Sequence, residues 1–568
     1  MAARAVRIVT EVGAVDRAFD YSVPETMGHL AVGDRVRIDF NHRSVRGWVV
    51  GDAVADDSLK PVAKWLGYGP PASMLGLLTW AGERWCGPTS RFLAAASPSS
   101  LVTALPTAPP ANALSEAVMH GAHVVEPGVL EVAPTTDPLA LILGAYDVTR
   151  EREGSLVVLV PTEAWATRLR GRLEQRGCAV AGAAQWDRAR AGWPVVVGPR
   201  GTALAPVAKV CGAVIVDADD EAYRSEGSPT WDAVTMLRER CRLDDAPLWC
   251  TSVLPSPALT GGASFARVTS LGDGWPLVHV VDRRSSDPHD GVLAAETMRL
   301  AHRALATDEP VAVAVVLQRL GSGRLWACRR CGELARCATC AQPEADLDGQ
   351  LACAERHESR AHFCRSCGAT NLRRVRVGVT TLARDVGAQL ARPVSEVTAA
   401  SDLNAPLERV VVGTEAVWQR VRRCSLVIFV DFDQYLLAPR SSARRAAIVA
   451  VAKAGRLVGS RVDDRGEVVV QTRRGDDQVV TSLVRGTFDE IIRDDLETAR
   501  LLGLAPFGAG ATVSGDGSHE FMAALDRRGL RVFETPEQYV IRANDVATLT
   551  AALRATPRPP AKVRIAVE

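Results

Sequence analysis

Apolar and polar residues alternate near the start of the chain, at Val6 to Val9, Val36 to Phe40 and Trp48 to Val50, with Gly-Asp and Asn-His turn signals between them. A period of two belongs to strands with one buried face, so residues 1–97 predict a small β-rich domain; from Met74 to Leu93 the spacing becomes helical. Seven prolines then fall between Pro98 and Pro138, which reads as a linker with a short packed piece near Leu114 to Val125. Residues 139–271 alternate short apolar runs (Leu156 to Val160, Val195 to Val197, Ala213 to Val216, Leu248 to Cys250) with helical stretches such as Ala164 to Arg176. That rhythm predicts parallel strands joined by crossover helices.

A second unit of the same kind covers residues 272–500, with strands at Val311 to Leu317, Val410 to Val412 and Leu426 to Val430 and a helix over Ala443 to Ala454. A cysteine-rich insertion occupies residues 326–370 within it. Residues 501–568 mix helical stretches (Met522 to Leu530, Val546 to Leu553) with strands at Tyr539 to Ile541 and Val563 to Val567, a terminal α+β domain. The fold class is therefore α/β and multidomain.

Composition narrows the class of molecule. With 568 residues, 47% hydrophobic and 23% charged, the chain has the makeup of several folded domains, neither fibrous nor disordered. No apolar run approaches the ~18 residues of a bilayer span, and Arg4, Arg7, Glu11, Asp16 and Arg17 interrupt any signal-peptide core, so a cytoplasmic protein is expected. Basic and acidic residues number 67 and 66, so any nucleic-acid site must be local. Only five of the bases are lysines: Lys60, Lys64, Lys209, Lys453 and Lys562.

Of 13 cysteines, Cys86, Cys178, Cys211, Cys241, Cys250 and Cys424 are scattered in apolar surroundings and read as small buried hydrophobes. The other seven crowd together as the pairs Cys328/Cys331, Cys337/Cys340 and Cys364/Cys367 plus Cys353. A Cys-x2-Cys turn aims two thiolates at one ion, and full four-fold protein coordination leaves no position for water, so these spacings predict structural zinc. Two complete sites need eight ligands, and His357 and His362 lie where the missing one is required. The block from Arg319 to Arg376 carries eleven arginines against six acids, which suits a nucleic acid or protein partner, or simply a solvated face.

The order of these features resembles the PriA family, primosomal proteins that restart stalled replication forks. The resemblance rests on Ala18-Phe19-Asp20-Tyr21-Ser22-Val23-Pro24-Glu25, Val32-Gly33-Asp34-Arg35-Val36-Arg37, Arg46-Gly47-Trp48-Val49-Val50, the cysteine order, and Leu501-Leu502-Gly503-Leu504-Ala505-Pro506-Phe507-Gly508. It implies an N-terminal domain that binds DNA 3′ ends and two RecA-like helicase lobes, the second carrying a two-zinc insertion. It also implies a zinc pairing: Cys328, Cys331, Cys364 and Cys367 around one ion, Cys337, Cys340 and Cys353 around the other, with the eighth cysteine replaced by Arg356. His357 or His362 would then complete the second site. By the same resemblance Phe19, Asp20, Tyr21 and Lys60 hold the terminal nucleotide, and Asn41 stands where the family has a glycine. Read from the strand pattern alone, Phe19 and Tyr21 are ordinary β core with Asp20 outward. The family's winged helix would fall in residues 98–138, where it is reduced or absent.

A motor needs a phosphate-binding Gly-Lys-Ser/Thr loop, in which the lysine neutralises the phosphates and the hydroxyl holds magnesium. None of the five lysines is followed by Ser or Thr, and Thr135-Thr136-Asp137-Pro138-Leu139 stands where that loop is expected. Asp217-Ala218-Asp219-Asp220 resembles the family's Asp-Glu-Glu-His motif with the catalytic glutamate replaced by Ala218. Arg456 alone survives of the last helicase motif. Degeneration of this kind resembles the actinobacterial branch of the family. The expected protein is thus a DNA-binding restart factor without ATPase or helicase activity, nucleoid-associated, working with single-stranded-DNA-binding protein, the replicative helicase and other primosome components. Two other readings are open at this stage: a residual ATP-dependent 3′-5′ helicase using Arg200, Asp217 and Arg456, and a zinc-dependent protein-interaction scaffold that does not touch DNA.

Overall fold

The computed structural model describes residues 4–12, 17–112, 114–115, 118, 125–267, 274–284, 291–318, 326–333, 335–339, 344–347, 349–353, 357–374, 379–402, 405–438, 442–462 and 465–568. They form two compact units: residues 1–130, 137–266 and 494–568 in the first, and 131–136 with 267–493 in the second. The packed piece expected near Leu114 to Val125 lies largely outside the described residues.

The first unit opens with β1 (Arg4–Thr10), β2 (Ala18–Val23), β3 (Arg35–Phe40), β4 (Arg43–Ala53) and β5 (Lys64–Gly67), an antiparallel sheet of order β2-β1-β4-β3-β5. Its two edges meet. Ser22 bridges to Pro61, the Val62 N–H donates to the Ser22 carbonyl at 2.9 Å, and the Ala63 N–H donates to the Arg37 carbonyl at 2.9 Å. The sheet thereby closes on itself, removing its open edges. Val6, Ile8, Tyr21, Val36, Ile38, Val49 and Val62 fill the inside. Asn41 (φ 48°) and His42 (φ 60°) turn β3 into β4, both in the left-handed region that a two-residue hairpin of this twist requires. Asparagine and histidine tolerate that region better than most side chains, so Asn41 can keep a backbone shape for which glycine is the usual solution.

The single helix expected from Met74 to Leu93 is two, Leu75–Arg84 and Thr89–Ala95. Pro88 disfavours a helical Gly87 before it, and Cys86 takes φ 51°, so the chain turns there.

Beyond them lies a seven-stranded sheet of β6 (Gly128–Glu131), β7 (Ser155–Leu159), β8 (Val180–Gly182), β9 (Val195–Gly198), β10 (Val210–Ile215), β11 (Leu248–Ser252) and β12 (Ala266–Arg267), in the order β12-β6-β11-β10-β7-β9-β8. Strands β7 to β11 pair in parallel. Every residue of β7, β9 and β10 is buried, the pattern of strands covered on both faces. β6 arises inside the proline-rich stretch that the sequence presents as linker: four residues are too short to show a period. The buried Arg240, on helix Ala233–Asp244, donates to the carbonyls of Ala205 at 2.8 Å and Val207 at 2.6 Å. Burial pushes its pKa down to about 10, which still leaves it charged at neutral pH.

The second unit is built on a wholly parallel sheet of β13 (Leu277–Asp282), β14 (Val313–Val316), β20 (Val394–Val397), β21 (Val410–Gly413), β22 (Leu426–Phe429) and β23 (Glu467–Thr472), ordered β13-β23-β22-β14-β21-β20. Between β14 and β20 the chain leaves this sheet for the cysteine module, made of β15 (Trp326–Cys328), β16 (Ala345–Leu347), β17 (Gln350–Ala352), β18 (Ser359–Arg360) and β19 (Leu372–Arg374).

Residues 494–568 return to the first unit. There β24 (Ala509–Ser514), β25 (Leu530–Glu534), β26 (Tyr539–Ala543) and β27 (Arg564–Val567) form an antiparallel sheet of order β25-β26-β24-β27. The helix expected over Met522 to Leu530 is Ser518–Ala524. It stops before Gly529 (φ 74°), after which Leu530 begins a strand. One hydrophobic core runs from Trp48 and Trp85 through Val157 and Ile215 to Phe521 and Val567, so N-terminal, parallel-sheet and C-terminal segments are packed together within this unit. The β-rich start, two parallel α/β layers, cysteine module and α+β end are the fold class expected from the sequence.

Candidate metal and nucleic-acid sites

In the cysteine module, β15 pairs antiparallel with β19, placing Cys328 opposite Leu372 and bringing two Cys-x2-Cys turns face to face. Each turn ends on a glycine in the left-handed region, Gly332 (φ 75°) and Gly368 (φ 70°), whose N–H groups donate to the carbonyls of Cys328 and Cys364. The sulfurs of Cys328, Cys331, Cys364 and Cys367 all lie within 4.8 Å of one another. Cys328 and Cys367 are 3.5 Å apart, as are Cys331 and Cys364. The Arg330 N–H points at the Cys328 sulfur at 3.3 Å. Burial raises the Cys328 thiol, but backbone donors from Cys331 and Arg330 and the neighbouring thiols outweigh it and bring it to about 7. Burial and the three other sulfurs push Cys331 up to about 12. Four thiolates this close repel one another, and a divalent cation at their centre is what relieves that repulsion.

Cys337, Cys353 and His357 form a second cluster, with His357 Nδ1 at 3.8 Å from the Cys337 sulfur and 3.6 Å from that of Cys353. Cys340 and Arg356 lie outside the described residues. His362 is not part of the cluster: its Nε2 is 3.2 Å from Asp346 and its ring packs edge-on against Trp326. Of the two histidines, the structure brings His357 to the sulfurs. The module is braced by the fully buried Glu344, which accepts from Arg360 Nε at 3.0 Å through both oxygens.

The four candidate DNA-end residues fall on two sides of the N-terminal sheet. Phe19 and Tyr21 turn toward the inside, Phe19 edge-on to Phe40 with ring centroids 4.9 Å apart and the Arg17 guanidinium 4.7 Å from its centre. Tyr21 is buried and donates its hydroxyl to the Asp39 carbonyl at 2.9 Å. Asp20 is outward, where Arg7 grips both its oxygens at 2.9 and 3.2 Å. That bond outweighs a small burial effect and holds the carboxyl below its ordinary value. Lys60 reaches Asp39 at 3.1 Å. The structure thus groups Phe19, Phe40, Asp39 and Lys60 at one rim, with Tyr21 beneath and Asp20 apart. Strand alternation in the sequence already implied the separation of Asp20; the part of Phe40 and Asp39 depends on a cross-sheet approach that no local pattern records.

Arg200, Asp217 and Arg456, expected from the sequence to mark a degenerate nucleotide site, are each engaged within the protein. Arg200 donates to the carbonyls of Ala222, at 3.3 Å, and Arg224. Asp217 is buried with φ 54°, and its N–H donates to the Thr251 hydroxyl at 3.1 Å. Beside it, Ala218 offers no carboxylate. Arg456 donates through Nε to the Pro134 carbonyl at 3.1 Å. At the start of helix Pro138–Thr149, where a phosphate loop is expected, Asp137 caps the helix by accepting from the Leu139 N–H at 3.0 Å, and Arg172 binds the same carboxylate at 3.0 Å. A helix N-terminus attracts anions. Here the protein supplies its own, while Pro138 removes one donor. The sequence carried the signal in Asp-Pro, a cap followed by proline at the first helical position.

Residues 7–98 match the family model for the 3′ DNA-binding domain (3′BD) of PriA. Replication restart protein PriA of Haemophilus influenzae is 24% identical over 367 residues, 60% of this chain and 50% of that protein. PriA of Thermotoga maritima is 23% identical over 349 residues, 57% of this chain and 46% of that one. The chain spans about half the length of these relatives. Among solved structures, Mycobacterium smegmatis helicase Lhr bound to ssDNA and AMP-PNP aligns with 65% of this chain and 46% of its own, at TM-score 0.34 and 16% identity. Among the described residues no helix is long and apolar enough to cross a membrane. With residues 7–98 matched by the PriA 3′ DNA-binding domain and PriA proteins aligned with more than half its length, the chain is similar to the PriA family.

Proposed function

We propose that this protein is a replication restart factor that binds DNA with an exposed 3′ end, as at abandoned forks, and helps reload the replicative helicase without hydrolysing ATP. The observation that carries the reading is the 3′ DNA-binding domain at residues 7–98 with its aromatic rim. A terminal base can stack on the Phe19–Phe40 pair, which suits any base because every base has a π face. Lys60 supplies the cation for the adjacent phosphate, and Asp39 beside it offers a carboxylate acceptor for a terminal hydroxyl. For Asp20 to take that part, it must first leave Arg7.

The absence of a motor is supported by chemistry at the expected nucleotide positions. No lysine is placed to neutralise the phosphates, Ala218 cannot polarise water, and Asp137 already fills the helix end with a carboxylate. Such losses each remove orders of magnitude in phosphoryl transfer. The two sulfur clusters would hold zinc as structural ions that fix the module, available to DNA or to partners such as single-stranded-DNA-binding protein and the replicative helicase.

Fluorescence anisotropy on forks with a free or 3′-phosphorylated leading strand tests this reading. Tighter binding to the free end, lost in Phe19→Ala and weakened in Lys60→Ala, is expected, together with no DNA-stimulated ATP turnover. Equal affinity for both ends with neutral variants, or turnover at helicase-like rates, overturns it.

A further inference from the structure

The outer surface of the N-terminal sheet carries a row of cations in direct register. Arg37 on β3 faces Arg46 on β4 across one ladder and Lys64 on β5 across the other. Adjacent strands lie about 5 Å apart, so the three side chains rise side by side from the sheet surface. All three are exposed. Among the described residues, neither Arg37 nor Lys64 has an ion pair or side-chain hydrogen bond; Arg46 pairs only with Glu11, at 2.8 Å.

Like charges placed directly opposite one another weaken a sheet. Elsewhere in this small domain several cations are neutralised: Arg7 with Asp20, Lys60 with Asp39, Arg4 with Asp52. In the row itself, three consecutive strands keep cations at the one level where acids would have been the simplest relief. Two of the five lysines in the whole chain, Lys60 and Lys64, lie in the segment that closes this sheet. A line of exposed cations, two of them without an ion pair among the described residues, suits a line of evenly spaced monoanions, which is the chemistry of a sugar–phosphate backbone.

We propose that Arg46, Arg37 and Lys64 form a second nucleic-acid contact, a track for the backbone of the single strand whose 3′ end is held at the Phe19 rim. The track deepens the reading given above, and it acts through phosphates and therefore without regard to sequence or to the chemistry of the strand's end. The rim discriminates the end; the track supplies salt-sensitive affinity.

The test is the salt dependence of binding to a single-stranded oligonucleotide, with its 3′ end free or phosphorylated, for the wild type, Phe19→Ala and the triple variant Arg37→Gln/Arg46→Gln/Lys64→Gln. At about 0.7 per phosphate contacted on a single strand, the triple variant should lose about 2 from the slope of log affinity against log salt. Affinity at low salt should fall at least tenfold, with the ratio of free to blocked ends unchanged. Phe19→Ala should do the reverse, losing the ratio and keeping the slope. Because Arg37→Lys/Arg46→Lys keeps the charge, it should retain the full slope, which separates lost charge from a damaged fold. An unchanged slope in the triple variant overturns the track. A lowered slope in the triple variant together with no preference of the wild type for free ends keeps the track and overturns the end-binding reading.

Discussion

At Asp137 burial and charge pull against each other. Burial raises the carboxyl, but the Arg172 guanidinium, the Leu139 N–H and the positive field of Arg176 together lower it below its ordinary value of 3.8. A carboxylate whose pKa is lowered by folding contributes stability that is present above the unfolded value and lost as pH falls through the folded one. Asp137→Ala removes both the helix cap, at about 1 kcal/mol, and a half-exposed ion pair of at most about 1 kcal/mol. Unfolding in urea at pH 7 should therefore show the variant weaker by about 1 to 2 kcal/mol. Asp137→Asn, which still caps, should lose less. As pH falls below the ordinary carboxylate value and through the lower folded one, the gap between wild type and either variant should narrow, because the wild-type carboxyl then takes up its proton. A gap that stays constant with pH would mean that the ion pair does not form. The same side chain shows what was hard to read from sequence. Asp-Pro announces a helix start, yet nothing local tells that Arg172, 35 residues on, closes over it.

Among the elements, the cysteine module answers most directly to removal of an ion. Its strands are two or three residues long, far too short to hold a fold by themselves, and ligand bonds to an ion at the two clusters would supply what a core would. Elemental analysis is expected to give two zinc ions per chain, one with Cys364→Ser and one with His357→Ala, while His362→Ala keeps both. Chelation should expose residues 326–374 to protease and leave the parallel sheet that carries them intact. Two ions in His357→Ala would place the fourth ligand elsewhere. The module was legible in the sequence because metal ligation is a matter of spacing. The buried strands β7, β10, β14 and β22 were legible as apolar runs. β13 was not: Leu277-Val278-His279-Val280-Val281-Asp282 is a strand only because β23, some 190 residues later, lies alongside it. β25 was hidden for a similar reason, since Leu530 to Glu534 is largely exposed and gains its extended form from β26. The break at Gly87-Pro88 was readable in principle, and the helical spacing on either side of it concealed the stop.

For the whole molecule, near-zero net charge means that affinity for DNA comes from local placement, and that affinity for nucleotide needs a local site as well. The positions where such a site belongs hold Asp137, Ala218 and an Arg456 bonded to a backbone carbonyl. A ligand that binds only the folded state stabilises it by RT ln(1 + [L]/Kd), about 1.4 kcal/mol at ten times Kd. Across domains of roughly 150 to 250 residues that corresponds to a rise of a few degrees in Tm. Magnesium ATP, ADP or a non-hydrolysable analogue at millimolar concentration should thus leave the melting curve where it was. A single-stranded oligonucleotide with a free 3′ end, run alongside, should move the transition of the first unit upward, which shows that the measurement can register a ligand. The comparison also separates two states that a turnover assay confuses: a site that binds nucleotide but cannot cleave it would shift the curve with ATP and with the analogue alike. Such a shift would show that the neighbourhood of Asp137 can open to a triphosphate, and the proposed lack of turnover would then rest on cleavage, through Ala218, instead of on binding.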